Sequence, residues 1–212
     1  MPKQPLILIG GGGHCKSCIE VIRSTGQWEI RGILDRAEMV GTKVLDYEVI
    51  GTDEEIGEWI SKGYYFLITV GQIKSAVPRK RLYDLLKKNN ALLATVISDK
   101  AVVSPYARIG EGSIIHHRVS LNADAVIGIN CIINTAANIE HDTTVGDHSH
   151  ISTGTMLNGT VQVGAGCFIG SGTVIANNIS VADNAVVGAG SLLLKNIDAP
   201  GIYAGVPCKK YQ

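Results

Sequence analysis

The segments Ile127-Gly-Ile-Asn-Cys-Ile132, Ile133-Asn-Thr-Ala-Ala-Asn138 and Ile139-Glu-His-Asp-Thr-Thr144 repeat one pattern of six residues. They belong to seventeen consecutive hexads that run from Ile97 to Asp198 without insertion or deletion. The first place of each hexad is aliphatic, the fifth is small or β-branched, and the second is usually Gly or another small or polar residue. Neither a helix nor a plain strand has a period of six residues, so the pattern predicts a β-solenoid.

In such a solenoid each hexad is one short strand plus a turn, and its aliphatic residue points inward. Three hexads make one triangular coil, so residues that are eighteen apart in the sequence lie in neighbouring coils. Coils stack at the spacing of paired strands, roughly 4.8 Å. Because no coil can bury its apolar interior alone, the stability of this prism must come from stacking.

The residues before the hexads have a different hydrophobic pattern, which predicts short apolar strands that alternate with amphipathic helices. This alternation predicts an α/β fold, a small Rossmann-like domain with a parallel sheet over residues 1–95, followed by the solenoid and a tail over 96–212. The predicted elements are strands at Leu6–Ile9, Arg31–Leu34 and Phe66–Val70, a hairpin-like run at Val44–Ile50, and helices from His14 to Thr25, from a cap at Asp53 to Ile60, and from Pro78 to Lys88.

The composition limits the classes of function. Nineteen basic residues balance nineteen acidic ones, which argues against a nucleic-acid-binding or membrane-surface protein, since either needs a cationic face. The apolar start is too short to span a membrane. The odd number of cysteines, five, is typical of reduced thiols in the cytoplasm. Cys15 and Cys18 are expected to be buried thiols on a helix, because no second cysteine pair follows them.

Ligands of parallel α/β sheets bind beyond the carboxyl ends of the strands. In this chain those ends carry Gly10–His14, Asp35 and Gly71. Glycines let a backbone approach a phosphate at a helix N-terminus, and Asp35 could hold a ribose or sugar hydroxyl. Cys15 stands where the third glycine of a dinucleotide-binding motif would be, which counts against NAD. A tight turn and a solvated carboxylate are the alternative interpretations.

His141 is the strongest candidate for chemistry on the prism. Its neighbours in the column, eighteen residues before and after, are Ala123 and Gly159, which leave space beside the imidazole. A histidine is a general base near neutral pH when a carboxylate orients it, and either Glu140 or Asp142 could do so. The alternative is a solvated turn histidine.

The remaining histidines of the prism are candidate ligands of a metal ion. His116, His117, His148 and His150 could in principle form a site. Outward side chains on a rigid prism diverge, however, and none of these residues shares a column with another. We therefore expect no metal site.

Several motifs together resemble a known family. They are Gly-Gly-Gly13-His14, Leu34-Asp35, Val70-Gly71-Gln72 with Pro78-Arg79, Ile133-Asn134-Thr135, Ile139-Glu-His141-Asp142, Ser149-His150-Ile151-Ser152 and Tyr203-Ala-Gly205-Val-Pro207. Over the whole chain this set is similar to the bacterial sugar acetyltransferases grouped with sialic acid O-acetyltransferases and UDP-4-amino-sugar N-acetyltransferases. Their fold is a left-handed parallel β-helix of hexapeptide repeats behind an α/β domain.

The resemblance implies a homotrimer with active sites between subunits, and acetyl-CoA lying in a groove of the prism. It implies that His141 is the general base and Asp142 its orienting partner. By the same matching, His150 lies near the thioester or pantetheine and Asn134 near the acceptor. The stacking of Gly159 over His141 makes its backbone N–H the first candidate for stabilising the oxyanion. The other positions matched to CoA binding are Gly159, Ser171, Ala189 and Lys209, although Cys208, before Lys209, departs from the family's usual alanine. The positions matched to nucleotide-sugar binding are Gly12, Gly13, His14, Asp35 and Gly71.

The sequence and the resemblance together predict direct transfer of an acetyl group from acetyl-CoA to a nucleotide-linked amino sugar, without an acyl-enzyme. They leave two alternatives open. One is an O-acetyltransferase acting on sialic acid or a related sugar, and the other is a catalytically silent scaffold that binds a nucleotide sugar. We expect no nucleic-acid partner and no membrane insertion.

Overall fold

The fold is that of a computed structural model, which describes residues 2–211. Its N-terminal part is a six-stranded sheet with the order β3-β4-β2-β1-β5-β6, parallel except for the β3–β4 hairpin. The strands are β1 (Gln4–Ile9), β2 (Trp28–Leu34), β3 (Lys43–Val44), β4 (Tyr47–Gly51), β5 (Tyr65–Ile68) and β6 (Leu92–Leu93), and the helices are α1 (Gly13–Thr25), α2 (Ile56–Ser61) and α3 (Val77–Lys88). The α/β prediction is confirmed.

The helix caps explain one difference from the prediction. A 3-10 turn, Asp53–Glu55, precedes α2, and its N-cap is Thr52 rather than Asp53. The Thr52 hydroxyl accepts from the Glu54 N–H while the Glu55 carboxylate accepts from the Thr52 N–H, which is a capping box. The prediction that Asp53 caps this helix was therefore wrong, and its carboxylate is free of the turn's hydrogen bonds.

The hexads form the predicted prism, with one strand for each hexad and an aliphatic interior. The strands are β7 (Val96–Ile97), β8 (Val102–Val103), β9 (Arg108–Ile109), β10 (Ile114–Ile115), β11 (Ser120–Leu121), β12 (Val126–Ile127), β13 (Ile132–Ile133), β14 (Asn138–Ile139), β15 (Thr144–Val145), β16 (His150–Ile151), β17 (Met156–Leu157), β18 (Gln162–Val163), β19 (Phe168–Ile169), β20 (Val174–Ile175), β21 (Ser180–Val181), β22 (Ala185–Val187) and β23 (Leu192–Leu193).

Parallel pairing at the predicted interval of eighteen residues builds three faces. The first face runs from β7 through β10, β13, β16, β19 and β22 and is extended by the tail strands β24 (Gly201–Ala204) and β25 (Lys209–Lys210); the second runs from β8 to β23, and the third from β9 to β21. The hexad part of the chain is a parallel β-helix of the left-handed hexapeptide type.

A second periodic feature, which the pattern of first and fifth places did not include, closes the turns. From Gly112 to Gly190 the fourth place of every hexad has a positive φ, near 60° in most cases. Gly, Asn and Asp tolerate this left-handed conformation best, and they fill most of these places. Asp142 is one of them, with φ 58°.

The N-terminal sheet and the prism share a core, so their relative placement is fixed by packing. Helix α1 lies between the sheet and the first face of the prism, where Cys18 and Ile19 are buried together with Ile114 and Ile132. Helices α2 and α3 cover the opposite side of the sheet. Fully buried Arg79 of α3 also joins the two parts, because its guanidinium donates to carbonyls of Ile68 and Val70 and to Asn130.

In the described residues no helix is both long and apolar enough to cross a membrane.

Candidate active site

His141 and Asp142 form a hydrogen-bonded pair on the turn between the second and third faces. The distance from His141 Nδ1 to Asp142 Oδ2 is 2.8 Å, and the His141 side chain is 59% exposed. Because a carboxylate accepts only, Nδ1 carries the proton in this arrangement. The Nε2 atom is then the basic nitrogen, accessible to a substrate.

The structure distinguishes the two carboxylates that flank His141. Glu140 accepts hydrogen bonds from the amide groups of Asn122 and Asn138, at 2.8 and 2.7 Å, and is held away from the imidazole. Of the two carboxylates, Asp142 is therefore the one that is hydrogen-bonded to the imidazole.

Gly159 lies directly over the imidazole, as the eighteen-residue interval predicts. A Cβ atom at this position would come within 2.6 Å of His141 Nε2. The adjacent Asn158 and Thr160 donate their N–H groups to the carbonyls of Ile175 and His141, whereas the Gly159 N–H has no acceptor within residues 2–211. An unpaired backbone N–H is one kind of donor that can stabilise the oxyanion of acyl transfer.

The predicted CoA residues lie on two neighbouring edges of the prism and at its end. Ser171 and Ala189 occupy the column between the first and second faces, and Gly159 occupies the column between the second and third. The two columns therefore flank the second face. Lys209 lies on β25 at the end of the first face and is exposed. Contacts of these residues with CoA stay predictions.

The N-terminal part contains a cavity of about 1020 Å³ at the carboxyl ends of its strands. Parallel α/β sheets bind ligands at this location, and the volume suits a nucleotide-sized molecule. The lining includes the predicted residues Gly12, Gly13, His14, Asp35 and Gly71, and also His150. Asn134 is not among the lining residues; its amide contacts His150 Nε2 at 3.3 Å.

Two glycines and one carboxylate fix the turn at the cavity wall. Gly10 has φ 101°, and a Cβ there would strike the Val70 side chain at 2.4 Å. The Gly11 N–H donates to Asp35 Oδ2 at 2.6 Å. Asp35 thus shapes the glycine-rich turn and also faces the cavity. By contrast a Cβ at Gly12 would meet no protein atom within 4 Å, so the space beside Gly12 is available to a ligand.

Three histidines converge beneath this cavity. The His14 ring centroid is 5.4 Å from that of His116 and 6.2 Å from that of His150. Burial lowers the pKa of His14 and of His116 to about 3, and that of His150 to about 4. The prediction that prism histidines diverge was wrong on the first face, because the N-terminal part covers it and brings His14 to them.

His150 is placed differently from the other residues matched to CoA. Its ring is buried on the first face, and its Nδ1 donates to the Gln72 carbonyl at 2.7 Å. It lines the N-terminal cavity rather than the second face. A contact between His150 and the thioester therefore stays a prediction that needs a neighbouring subunit.

The base and the cavity are separate within one chain. His141 does not line the cavity, which opens over the first face, whereas His141 lies where the second and third faces meet. Within residues 2–211, the candidate base and the cavity therefore lie on different parts of the prism surface.

The sequence analysis missed several cavity residues. They are Arg36, Thr52, Asp53, Glu54, Gln72 and Leu82. Asp53 was interpreted as a helix cap, and Gln72 was visible only as part of the Val70-Gly71-Gln72 motif. Each becomes recognisable once the strand ends are known to share one edge of the sheet. Asn177, whose amide lies near the Gly159 position, was missed although it continues the His141 column by a further eighteen residues.

Comparison with known proteins agrees with this geometry. Residues 5–86 match the family described as the PglD N-terminal domain, and residues 160–195 match the bacterial transferase hexapeptide family. PerB from Caulobacter crescentus, solved with CoA and GDP-perosamine, is 31% identical, with 98% of this chain and 97% of that chain covered and a TM-score of 0.91. The chain belongs to the PglD family of sugar N-acetyltransferases.

Two further solved structures have the same architecture. The acetyltransferase domain of PglB from Neisseria gonorrhoeae is 28% identical, covers 98% of this chain and 100% of its own, and has a TM-score of 0.91. WeeI from Acinetobacter baumannii, at 22% identity and a TM-score of 0.87 over 98% of this chain and 100% of its own, supports the fold alone. No curated protein sequence gives a significant match.

Proposed function

We propose that this protein transfers the acetyl group of acetyl-CoA to the amino group of a nucleotide-linked amino sugar. The observation that carries the proposal is the His141–Asp142 pair, whose free Nε2 lies beside Gly159, a residue with an unpaired N–H within residues 2–211. The nucleotide-sized cavity at Gly12 and Asp35 supports the acceptor class. Relatives that bind CoA with GDP-perosamine support both substrates.

In the proposed reaction His141 Nε2 removes a proton from the acceptor amine as the nitrogen attacks the thioester carbonyl. Asp142 stabilises the imidazolium that forms, since its carboxylate already bonds Nδ1. In this proposal the Gly159 N–H donates to the oxyanion of the tetrahedral intermediate. Collapse of that intermediate breaks the C–S bond and releases CoA, whose thiolate takes up a proton.

No cysteine thiol is suited to an acyl-enzyme in this scheme. Burial raises the pKa values of Cys131 and Cys167, whose side chains lie in the core of the prism. A buried, protonated thiol is a poor nucleophile. Direct transfer within one ternary complex is therefore the mechanism that we propose.

We infer that the working enzyme is a homotrimer in which the cavity of one subunit presents the sugar to the prism of another. The separation of His141 from the cavity within one chain supports this inference, because an oligomer can unite the two. The groove along the second face, between the columns of Gly159 and Ser171, is the proposed CoA site. Location in the cytoplasm, where acetyl-CoA and reduced thiols coexist, stays part of the proposal.

The test is a thermal-shift screen followed by an activity assay. UDP-, GDP-, dTDP- and CMP-linked amino sugars are compared with free sialic acids, since a ligand raises the melting temperature only if it binds the native state. Thiol release from acetyl-CoA is then measured with each acceptor. Release with a nucleotide amino sugar supports the proposal. Release only with free sialic acid would indicate O-acetylation, and a melting shift without release would indicate a silent scaffold.

A further inference from the structure

The buried contact between α1 and the prism contains a set of three side chains, of which only His14 also lines the cavity. His14, Cys18 and His116 each offer a ligand atom, and the three atoms lie within 4.8 Å of one another. It is the one such group of His, Cys, Asp or Glu side chains in residues 2–211. It lies outside the His141 column and joins the two parts of the chain.

The sequence spacing suits a shared ligand. His14 and Cys18 are four residues apart on α1 (Gly13–Thr25), so they lie on the same face of the helix, one turn apart. His116 comes from the turn after β10 and completes the group from the prism. Two ligands at this helical spacing and a third from another element are a common way to build a metal site.

Two of the three side chains have polar atoms that nothing in the protein satisfies. The Nε2 atoms of His14 and of His116 are buried and have no hydrogen-bond partner within the described residues. His116 is 1% exposed and Cys18 is fully buried. An unpaired buried nitrogen destabilises the folded state, so a bound partner for these two atoms is expected.

The group offers two imidazole nitrogens and one thiol sulfur, donors that a transition metal prefers and that a hard cation such as Mg²⁺ or Ca²⁺ does not. The metal would displace the thiol proton of Cys18 to solvent on binding. The Arg79 guanidinium acts on both His14 and Cys18; it favours the thiolate and opposes positive charge at His14.

We propose that His14, Cys18 and His116 bind a zinc-type transition-metal ion that ties helix α1 to the prism. Two imidazoles and one thiolate are a ligand set that Zn²⁺ accepts, with a fourth position for water or an anion. His14 also lines the cavity, which gives solvent a route to that position. The site departs from the metal-free expectation because the ligands come from both parts of the chain, which outward prism positions alone could not reveal.

Zinc binding to the full chain tests the proposal. Protein treated with chelator is incubated with Zn²⁺, passed through a desalting column and assayed for metal; about one ion per chain is expected. The melting temperature with Zn²⁺ should exceed that with chelator by several degrees, because only the folded chain brings the three ligands together. Cys18→Ser and His116→Asn should lose both effects.

Cys15→Ser is the matched control. Cys15 is a buried thiol on the same helix and lies outside the cluster, so this variant should keep the metal and the shift. Each variant is compared with itself in chelator, which separates metal binding from any general loss of stability. Retention of the metal by Cys18→Ser would show adventitious surface binding and overturn the proposal.

Cobalt gives a readout on the unmodified chain. Co²⁺ bound by the cluster should produce a thiolate-to-metal charge-transfer band in the near ultraviolet, together with visible bands typical of four-coordinate cobalt. Absence of the charge-transfer band at saturating Co²⁺ would overturn the proposal even if the variants failed to fold. Acetyl transfer is not part of these readouts, so failure here leaves the proposed enzymatic function standing.

Discussion

The exposed histidine of the prism and the buried histidines beneath the cavity differ in solvent exposure and in their partners. His141 is 59% exposed and bonded to a carboxylate. His14, His116 and His150 lie between two packed parts of the chain, where burial lowers each pKa to about 3 or 4. Solvent access and a carboxylate partner thus distinguish the histidine that is available to a substrate from the ones that are enclosed between the two parts of the chain.

Removal of the exposed imidazole should have the largest effect. His141→Ala is expected to lower kcat for acetyl transfer roughly 100- to 10,000-fold, the usual contribution of a general base. Since the side chain is exposed, the melting temperature and the molecular mass by light scattering should stay unchanged. Full activity in a correctly assembled variant would contradict the role of His141.

Crowding the same imidazole should have a smaller effect. Gly159→Ala places a Cβ at 2.6 Å from His141 Nε2, so the ring must move, and a displacement of about 1 Å can cost about 100-fold in rate. Gly57→Ala is the control, because a Cβ at Gly57 meets no atom within 4 Å. Steady-state kinetics should show the loss in kcat for Gly159→Ala alone; equal rates would mean that the ring has room to move.

Removal of the carboxylate charge should cost less again. Asp142→Asn should lower kcat about tenfold, since one charge-assisted hydrogen bond to the imidazole is weakened. Asn accepts the positive φ of 58° at this position, so the backbone is kept and the charge alone is tested. A loss as large as that of His141→Ala would show that Asp142 does more than orient the ring.

The buried histidines should affect the pH dependence of the free energy of unfolding rather than the rate of acetyl transfer. Their folded pKa values lie below the ordinary 6.5, so the unfolded chain binds protons that the folded chain excludes. The contribution of these histidines to the free energy of unfolding is fully present above about pH 6.5. It is lost as the pH falls toward 4, by up to about 1.4 kcal/mol per histidine and pH unit.

Urea unfolding in the presence of chelator, at pH 7 and pH 5, measures this difference. Replacement of one buried ring, by His150→Gln, should make the free energy of unfolding less dependent on pH. A slope identical to that of the unmodified chain would show that His150 is not held neutral by burial.

The same comparison shows what the sequence could predict. The prism was predictable because its period is local: the first and fifth places gave the strands, and the interval of eighteen residues put Gly159 over His141. The buried cluster was not predictable, because His14, Cys18 and His116 are brought together only by docking of α1 on the first face. The choice of Asp142 over Glu140 also needed coordinates, since it depends on the two asparagine amides that hold Glu140.

Our central claim is that the base of one subunit serves the cavity of another. Gly12→Val should fold, because a Cβ there meets no protein atom within 4 Å, while its side chain fills the acceptor space. Gly12→Val and His141→Ala should each be inactive alone. Equal co-expression should restore about a quarter of the activity over all trimers, because each mixed trimer has one of its three sites with an intact cavity and an intact base from different chains. No recovery in mixed trimers of verified composition would contradict the claim.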